Sequence, residues 1–359
     1  MHHRPHQPAA AATTPIDWQS ARVLVTGATG VVGSRLVHEL LRRGASVTCL
    51  VRDHDPASAL WFDGDFERVA VATGRLEAIE QVRAAITERE VDTVIHLGAQ
   101  AIVGVGRNDP LTTFESNVRG TWNLLECCRL YGASVRSIVI ASSDKAYGEC
   151  ERLPYVESTP LAAQHPYDVS KCCADLIAQS YARTYGMPIA IARCGNIFGP
   201  GDINWSRLVP GTIRSALRGE APVIRSDGTL VRDYLFVDDA AHAYLALAAW
   251  AASDAARADP ERAFNFSSNR PLSVLAMTRL ILDACDRRDL EPEIRNEARG
   301  EILAQHLDST RAARLLGWSA ATEIADALRI SVAWYERYLR ARAARRPTAQ
   351  PAASARAIA

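Results

Sequence analysis

A chain of 359 residues, 48% apolar and 23% charged, is long enough for two lobes or one large domain with an ample core. Its 41 acidic and 41 basic residues cancel, leaving no basic field for nucleic acid and no asymmetry suited to a membrane surface. No apolar run reaches the roughly 18 residues that span a bilayer.

The stretch from Met1 to Gln19 is rich in Ala, Pro and His and lacks the apolar centre of a secretory signal. Residues 1–20 read as a disordered extension in which His2, His3 and His6 have no function. Arg22–Thr26 is a short apolar run followed at once by glycines and an amphipathic segment, residues 34–43. Ser46–Val51 is a second buried-type run, and the pattern continues at residues 68–72, 93–97, 137–142 and 189–193. Helical periodicity fills the gaps at residues 76–88, 113–131 and 167–185. Strands and helices alternating at this spacing predict an α/β fold with a parallel sheet covered on both faces.

Beyond residue 199 the regularity breaks. Segments rich in Gly, Pro, Asn and Asp separate helical stretches such as Leu208–Arg218 and Val237–Ala251. Residues 200–340 therefore read mainly as a smaller lobe, with some elements returning to the main sheet. From residue 341 the chain is rich in Ala, Arg, Pro and Ser, and 341–359 are expected to be disordered. The eight cysteines include no CxxC pair, which argues against zinc or a disulfide framework. Reduced thiols, no metal and a cytoplasmic location are expected.

After the first strand comes Thr26-Gly27-Ala28-Thr29-Gly30-Val31-Val32-Gly33. Glycines here permit a tight turn, close approach of backbone to a pyrophosphate and close helix–strand packing. The helix that follows would offer free N–H groups and its dipole to the anion. Gly27, Thr29, Gly30, Val31, Val32 and Gly33 are thus candidate cofactor residues for a dinucleotide. The second strand ends in Arg52-Asp53. An acid there suits the ribose hydroxyls of NAD, whereas an Arg suits the 2′-phosphate of NADP. Both readings stay open.

Only Lys145 and Lys171 are lysines; the other basic residues are arginine. A lysine amine is a compact charge whose pKa moves on burial, which an arginine's does not. Tyr167 and Lys171 are spaced i, i+4 in one helical pattern, so their side chains share a face. Tyrosine, with a pKa near ~10, is a poor base unless a neighbouring positive charge stabilises its phenolate.

The glycine loop, His96-Leu97-Gly98-Ala99-Gln100, Asn117, Ser143, Tyr167-xxx-Lys171 and residues 193–200 (RCGNIFGP) together resemble the extended short-chain dehydrogenase/reductase family of nucleotide-sugar enzymes. The resemblance runs from about residue 21 to residue 339. It implies a Rossmann-type doubly wound sheet over residues 21–199, with a C-terminal substrate-binding lobe. It also implies NAD(P)+ contacted by Leu97, Gly98, Ala99, Tyr167 and Lys171 besides the loop, and a nucleotide-sugar substrate. Tyr167 would take a hydroxyl proton as hydride leaves the same carbon, with Ser143 on the same oxygen. Asn196 and Arg232 would hold the diphosphate, with Arg207 and Arg225 as further candidates. Asn117 reads as a structural tie, and His96 as a satisfied core histidine.

Asp144-Lys145 separates members of that family. Its epimerases resemble this region but carry small residues at these positions, its sugar 4,6-dehydratases carry Asp-Glu, and those acting on CDP-glucose carry Asp-Lys. The resemblance therefore implies a 4,6-dehydratase of CDP-glucose, or second a GDP-mannose type. Asp144 would protonate the leaving C6 hydroxyl; Lys145 would act on the C5 proton as an amine or on the enolate as a cation. The alternatives are a 4-epimerase and a non-catalytic nucleotide-binding module. Arg75, where the family commonly has an acid near adenine, is a departure. The helices at 113–131 and 167–185 carry surplus apolar residues, which in this family make the four-helix bundle of a homodimer.

Overall fold

The computed structural model describes residues 16–297 and 301–344. Its centre is a seven-stranded sheet. Six strands come from the first part of the chain: β1 (Arg22–Thr26), β2 (Ser46–Val51), β3 (Ala70–Thr73), β4 (Thr93–His96), β5 (Ser137–Ala141) and β6 (Ile189–Cys194). The seventh, Ala263–Phe266, returns late in the chain to pair with β6. Every pairing is parallel. The order runs Ala263–Phe266, β6, β5, β4, β1, β2, β3. It reverses direction between β1 and β4, where the ends of a doubly wound sheet open a crevice.

Strand residues alternate between two cores because successive side chains point to opposite faces. Val23 and Val25 of β1 join the core beneath helices Val31–Arg42 and Val237–Ala251. Leu24, with Val94, Ile138 and Ile140, joins the core beneath Ile79–Thr87, Gly120–Tyr131 and Pro166–Tyr185. A sheet covered on both sides needs apolar residues at nearly every position, and β6 is buried throughout. The later elements build small sheets beside the crevice. Asn196–Phe198 pairs with Tyr234–Phe236, and Val231–Arg232 lies between Leu272–Ser273 and Ala304–Gln305.

Several expected boundaries move. The third strand starts at Ala70 because Asp65–Arg68 forms a short 3-10 turn. The predicted helix at 113–131 starts earlier, at Pro110, where the Asp109 carboxylate accepts the Thr112 N–H and proline occupies the first turn. A π-helical segment, Glu115–Arg119, then interrupts it before Gly120–Tyr131. The ends are more ordered than the composition implied: Ile16 is buried in the first core, and the last helix, Ile324–Ala344, includes residues 341–344. The rest of the two predicted disordered ends, and His2, His3 and His6, lie outside the described residues.

One buried ion pair joins three of these layers. Arg193 of β6 and Asp175 of helix Pro166–Tyr185 are 2% and 0% exposed. They form a two-pronged contact at 2.8 and 2.9 Å. The same guanidinium donates to the Tyr147 hydroxyl and to the Glu157 carbonyl. Tyr147 in turn donates to Asn265 of the seventh strand. Removing one partner leaves the other charge buried and unpaired, at a cost of about 3–5 kcal/mol. Asp175→Ala should therefore lose that much stability in urea unfolding, and a loss under about 1 kcal/mol would show that the pair is not a structural anchor.

Candidate active site

The glycine loop is shaped by contacts that exclude side chains. Gly27 has φ +70°, and a Cβ there would lie 2.7 Å from the Gly98 nitrogen and the Leu97 carbonyl carbon. A Cβ on Gly33 would lie 2.1 Å from the Gly27 oxygen, so the helix can approach the turn only with glycine at that position. Gly30 caps the helix without a side chain, and no acid occupies the first turn. The Ser34 N–H to Gly30 carbonyl bond is 2.9 Å; the N–H groups of Val31, Val32 and Gly33 precede it and face the crevice end of the helix. Thr29 lies in the same turn. This cradle fits the pyrophosphate of a dinucleotide.

At the edge of the crevice Arg52 and Asp53 are largely exposed and pair with each other at 2.5 Å. Arg75 is exposed as well and lies 3.7 Å from Glu77. The other wall is the loop after β4. Leu97 donates its N–H to the Thr26 carbonyl, Gly98 donates to Thr26 Oγ1 at 3.0 Å, and Ala99 follows. Thr26 Oγ1 lies 2.8 Å from His96 Nδ1, and His96 Nε2 lies 3.1 Å from Thr121 Oγ1, which itself donates to the Asn117 carbonyl. Following the donors assigns the imidazole proton to Nε2. Burial holds His96 at a pKa of about 3, with Lys171 adding to the effect. His96 is a neutral structural link.

Asn117 sits in the π segment. Its side chain accepts from the Gln100 N–H and donates to the Gln100 carbonyl and to Ser170 Oγ. The extra residue in that turn ties the loop after β4 to the helix that carries Tyr167 and Lys171.

β5 ends at Ala141, and Asp144–Tyr147 forms a 3-10 turn capped by Ser143, whose Oγ accepts the Lys145 N–H at 3.2 Å. On this turn, unlike on a strand, both neighbouring side chains face inward. Ser143 Oγ donates to Asp144 Oδ1 at 3.0 Å. Asp144 is 3% exposed, and its Oδ2 is buried without a partner. Burial raises the carboxyl pKa, against smaller opposing effects from Lys145, Ser143 and Arg232. Lys145 Nζ donates to Gln305 Oε1 at 2.6 Å, and Gln305 Nε2 donates back to the Asp144 carbonyl.

Tyr167 stands at the start of the facing helix. Burial pushes its phenol up, and Asp144 and Asp168 push it further, against Arg207 and Ser143. The sequence predicts a phenol lowered by an adjacent ammonium together with an oxidised nicotinamide. In the protein alone desolvation raises it, with Asp144 and Asp168 adding to the effect; Lys171 directs its ammonium to the Ala141 carbonyl at 2.5 Å. Burial lowers Lys171 to about 8, partly offset by Asp175.

The substrate-side candidates divide. Arg232 is mostly buried, touches Glu301 at 3.2 Å and acts electrostatically on Asp144. Arg207 acts on Tyr167, while its guanidinium is held by Asp202 and the Ile197 carbonyl. Asn196 begins the small strand beside them, its N–H bonded to the Asp233 carbonyl. Arg225 lies apart, bonded to the Ser206 carbonyl. Sequence reasoning missed Gln305 and Asp168. The first gave no local signal, since it acts across 160 residues; the second sits inside the motif, next to Tyr167.

The model of the NAD dependent epimerase/dehydratase family matches residues 23–265. The chain belongs to this family. Among curated relatives, the dTDP-glucose 4,6-dehydratase of Streptomyces griseus is 30% identical over 326 residues, covering 89% of this chain and 95% of that protein. The Streptomyces antibioticus dTDP-glucose 4,6-dehydratase is also 30% identical, over 87% and 92%. Among solved structures, the dTDP-glucose 4,6-dehydratase of Streptomyces venezuelae with NAD bound superposes with a TM-score of 0.76 at 26% identity, over 88% and 97% of the two chains. A UDP-glucose 4-epimerase of Thermotoga maritima superposes at 0.78, with 26% identity over 89% and 99%. The protein is an NAD(P)-dependent enzyme, and within the family it is most like the 4,6-dehydratases.

The lowered Lys171 pKa sets a pH dependence. With a folded value of about 8 against an ordinary 10.5, the folded state disfavours the ammonium. Its stabilising contribution is present above about 10.5 and is lost as pH falls toward about 8. The stability difference between wild type and Lys171→Met should therefore drift against wild type as pH falls through that window and level off below it. Urea unfolding at several pH values reads this directly; a pH-independent difference would mean that Lys171 titrates normally.

Proposed function

We propose that the protein is an NDP-hexose 4,6-dehydratase that converts CDP-glucose, or second a GDP-mannose-type sugar, to the 4-keto-6-deoxy product. The observation that carries this reading is the Asp144 carboxyl: buried, raised in pKa and with Oδ2 unpartnered beside Ser143 and Tyr167. A carboxyl whose burial favours the protonated form is the group that can deliver a proton to a departing hydroxyl. A 4-epimerase would use Tyr167 and Lys171 and have no task for it.

In this reading the Gly27–Gly33 cradle, Arg52/Asp53 and Leu97–Ala99 would hold NAD(P)+, which when bound would supply a reversible hydride acceptor for oxidation at the sugar C4 and reduction at C6. The chain's own groups do the rest. Tyr167 takes the proton from the C4 hydroxyl, with the Ser143 hydroxyl turning from Asp144 to donate to the same oxygen. Lys171, anchored on Ala141, stands one helical turn away to favour the phenolate and to meet the nicotinamide ribose. Asp144 protonates the C6 hydroxyl, which leaves as water. Arg232 and Asn196 hold the diphosphate, Arg232 by the fork that matches phosphate oxygens, and Arg207 lines the same side; Arg225 has the weakest support. The burial of Asp144 keeps water from the acid that acts beside the keto intermediate.

Mass spectrometry on CDP-, GDP-, UDP- and dTDP-hexoses tests the reading. The product should be lighter than its substrate by one water; an unchanged mass with inverted C4 would make the enzyme an epimerase. Asp144→Asn should still oxidise C4 and so accumulate reduced cofactor at 340 nm, while water loss falls about 10²–10⁴-fold.

A homodimer accompanies this proposal. Helices Gly120–Tyr131 and Pro166–Tyr185 lie side by side and expose Trp122 and Leu176, large apolar side chains suited to a four-helix bundle with a second copy. Light scattering should give twice the chain mass for wild type and the single-chain mass for the double variant Trp122→Glu, Leu176→Glu. A monomeric wild type would remove the dimer.

A further inference from the structure

Elimination beside a ketone needs two proton-handling groups at once: an acid for the departing C6 hydroxyl and a base for the C5 proton. With Asp144 as the acid, the base must come from elsewhere in the same pocket. Lys145 is badly placed for that work, because its Nζ donates to the buried Gln305 at 2.6 Å.

Asp168 has the required features. It lies in the first turn of helix Pro166–Tyr185, next to Tyr167, and the turn Asp144–Tyr147 packs against that helix. It is 5% exposed, and its Oδ1 is buried with no hydrogen-bond partner. An acid in a first turn is ordinarily there for the helix dipole, in solvent or capping an N–H; a buried carboxyl oxygen left unpaired needs another reason. The charged groups that act on it are Lys145 and His165, which favour the carboxylate, and Asp144, which opposes it. Burial raises its pKa overall, which makes the carboxylate a stronger base than a solvated one. Asp144 and Asp168 both act electrostatically on Tyr167, so both carboxyls lie close to the phenol.

We infer that Asp168 is the base that takes the C5 proton, and that Lys145 serves as the charge neighbour of both carboxyls rather than as a proton acceptor. The inference rests on the dehydratase reading. The C5–H pair becomes the second bond of C5=C6 as C6–O6 breaks, and O6 departs as water with the Asp144 proton. The proton taken by Asp168 exchanges with solvent, and once C6 has received hydride the Asp168 carboxyl protonates C5.

Deuterium separates the roles. In D2O, wild type acting on CDP-glucose, dTDP-glucose, UDP-glucose or GDP-mannose should give a product carrying deuterium at C5. Asp144→Asn should retain C5 exchange without losing water. Asp168→Asn should still oxidise C4, which also proves it folded and loaded with cofactor, yet lose C5 exchange and water loss together, by about 10²–10⁴-fold. Asp168→Ser serves as a second removal of the base should the Asn variant not oxidise C4. Asp168→Glu, which keeps a carboxylate, should recover part of the exchange. If either removal variant exchanges C5 within threefold of wild type, or if Lys145→Met abolishes exchange while Asp168→Asn keeps it, the assignment is overturned. If wild type releases no water from any of the four sugars, the dehydratase reading fails and the inference with it.

Discussion

The site is organised around a charge pair that never meets solvent. Two ions taken into a low-dielectric interior repay their lost hydration only when geometry is close and the remaining donors are satisfied. Arg193 meets that condition by spending its guanidinium on Asp175, Tyr147 and the Glu157 carbonyl. These partners belong to the helix with Tyr167 and Lys171, to the turn with Asp144 and to the loop that reaches the seventh strand. Moving any of them breaks a fully paired network, so the spacing between Asp144 and Tyr167 is held by β6 behind them.

In front of that anchor the pocket favours neutral forms. Desolvation raises Asp144, Asp168 and Tyr167 and lowers Lys171. A pocket that resists isolated charge favours proton transfers that leave no lone ion behind. The glycine cradle does the opposite at the other end of the crevice. There, free N–H groups at a helix start, with no acid in the first turn, welcome negative charge.

Much of this was legible in the residues. The loop from Gly27 to Gly33 declared itself because steric exclusion leaves only glycine at positions 27 and 33. The sheet was readable because buried parallel strands are short apolar runs, and β4, β5 and β6 are such runs. The i, i+4 spacing of Tyr167 and Lys171 announced a shared face. Periodicity could not reveal the π segment, since one inserted residue leaves the surrounding apolar pattern almost intact while turning Asn117 toward Gln100 and Ser170. Nor could it reveal which way the phenol's pKa moves, which depends first on desolvation and then on carboxyls contributed by two separate elements. Ile16 was masked by its low-complexity surroundings.

Gln305 grips both halves of the Asp144–Lys145 turn from a short strand formed near the end of the chain. During synthesis on the ribosome the glycine cradle and its sheet neighbours emerge first and can fold early. The turn gains its brace only after residue 305 has cleared the exit tunnel, so a nascent chain holds its glycine cradle before it owns a finished reaction chamber.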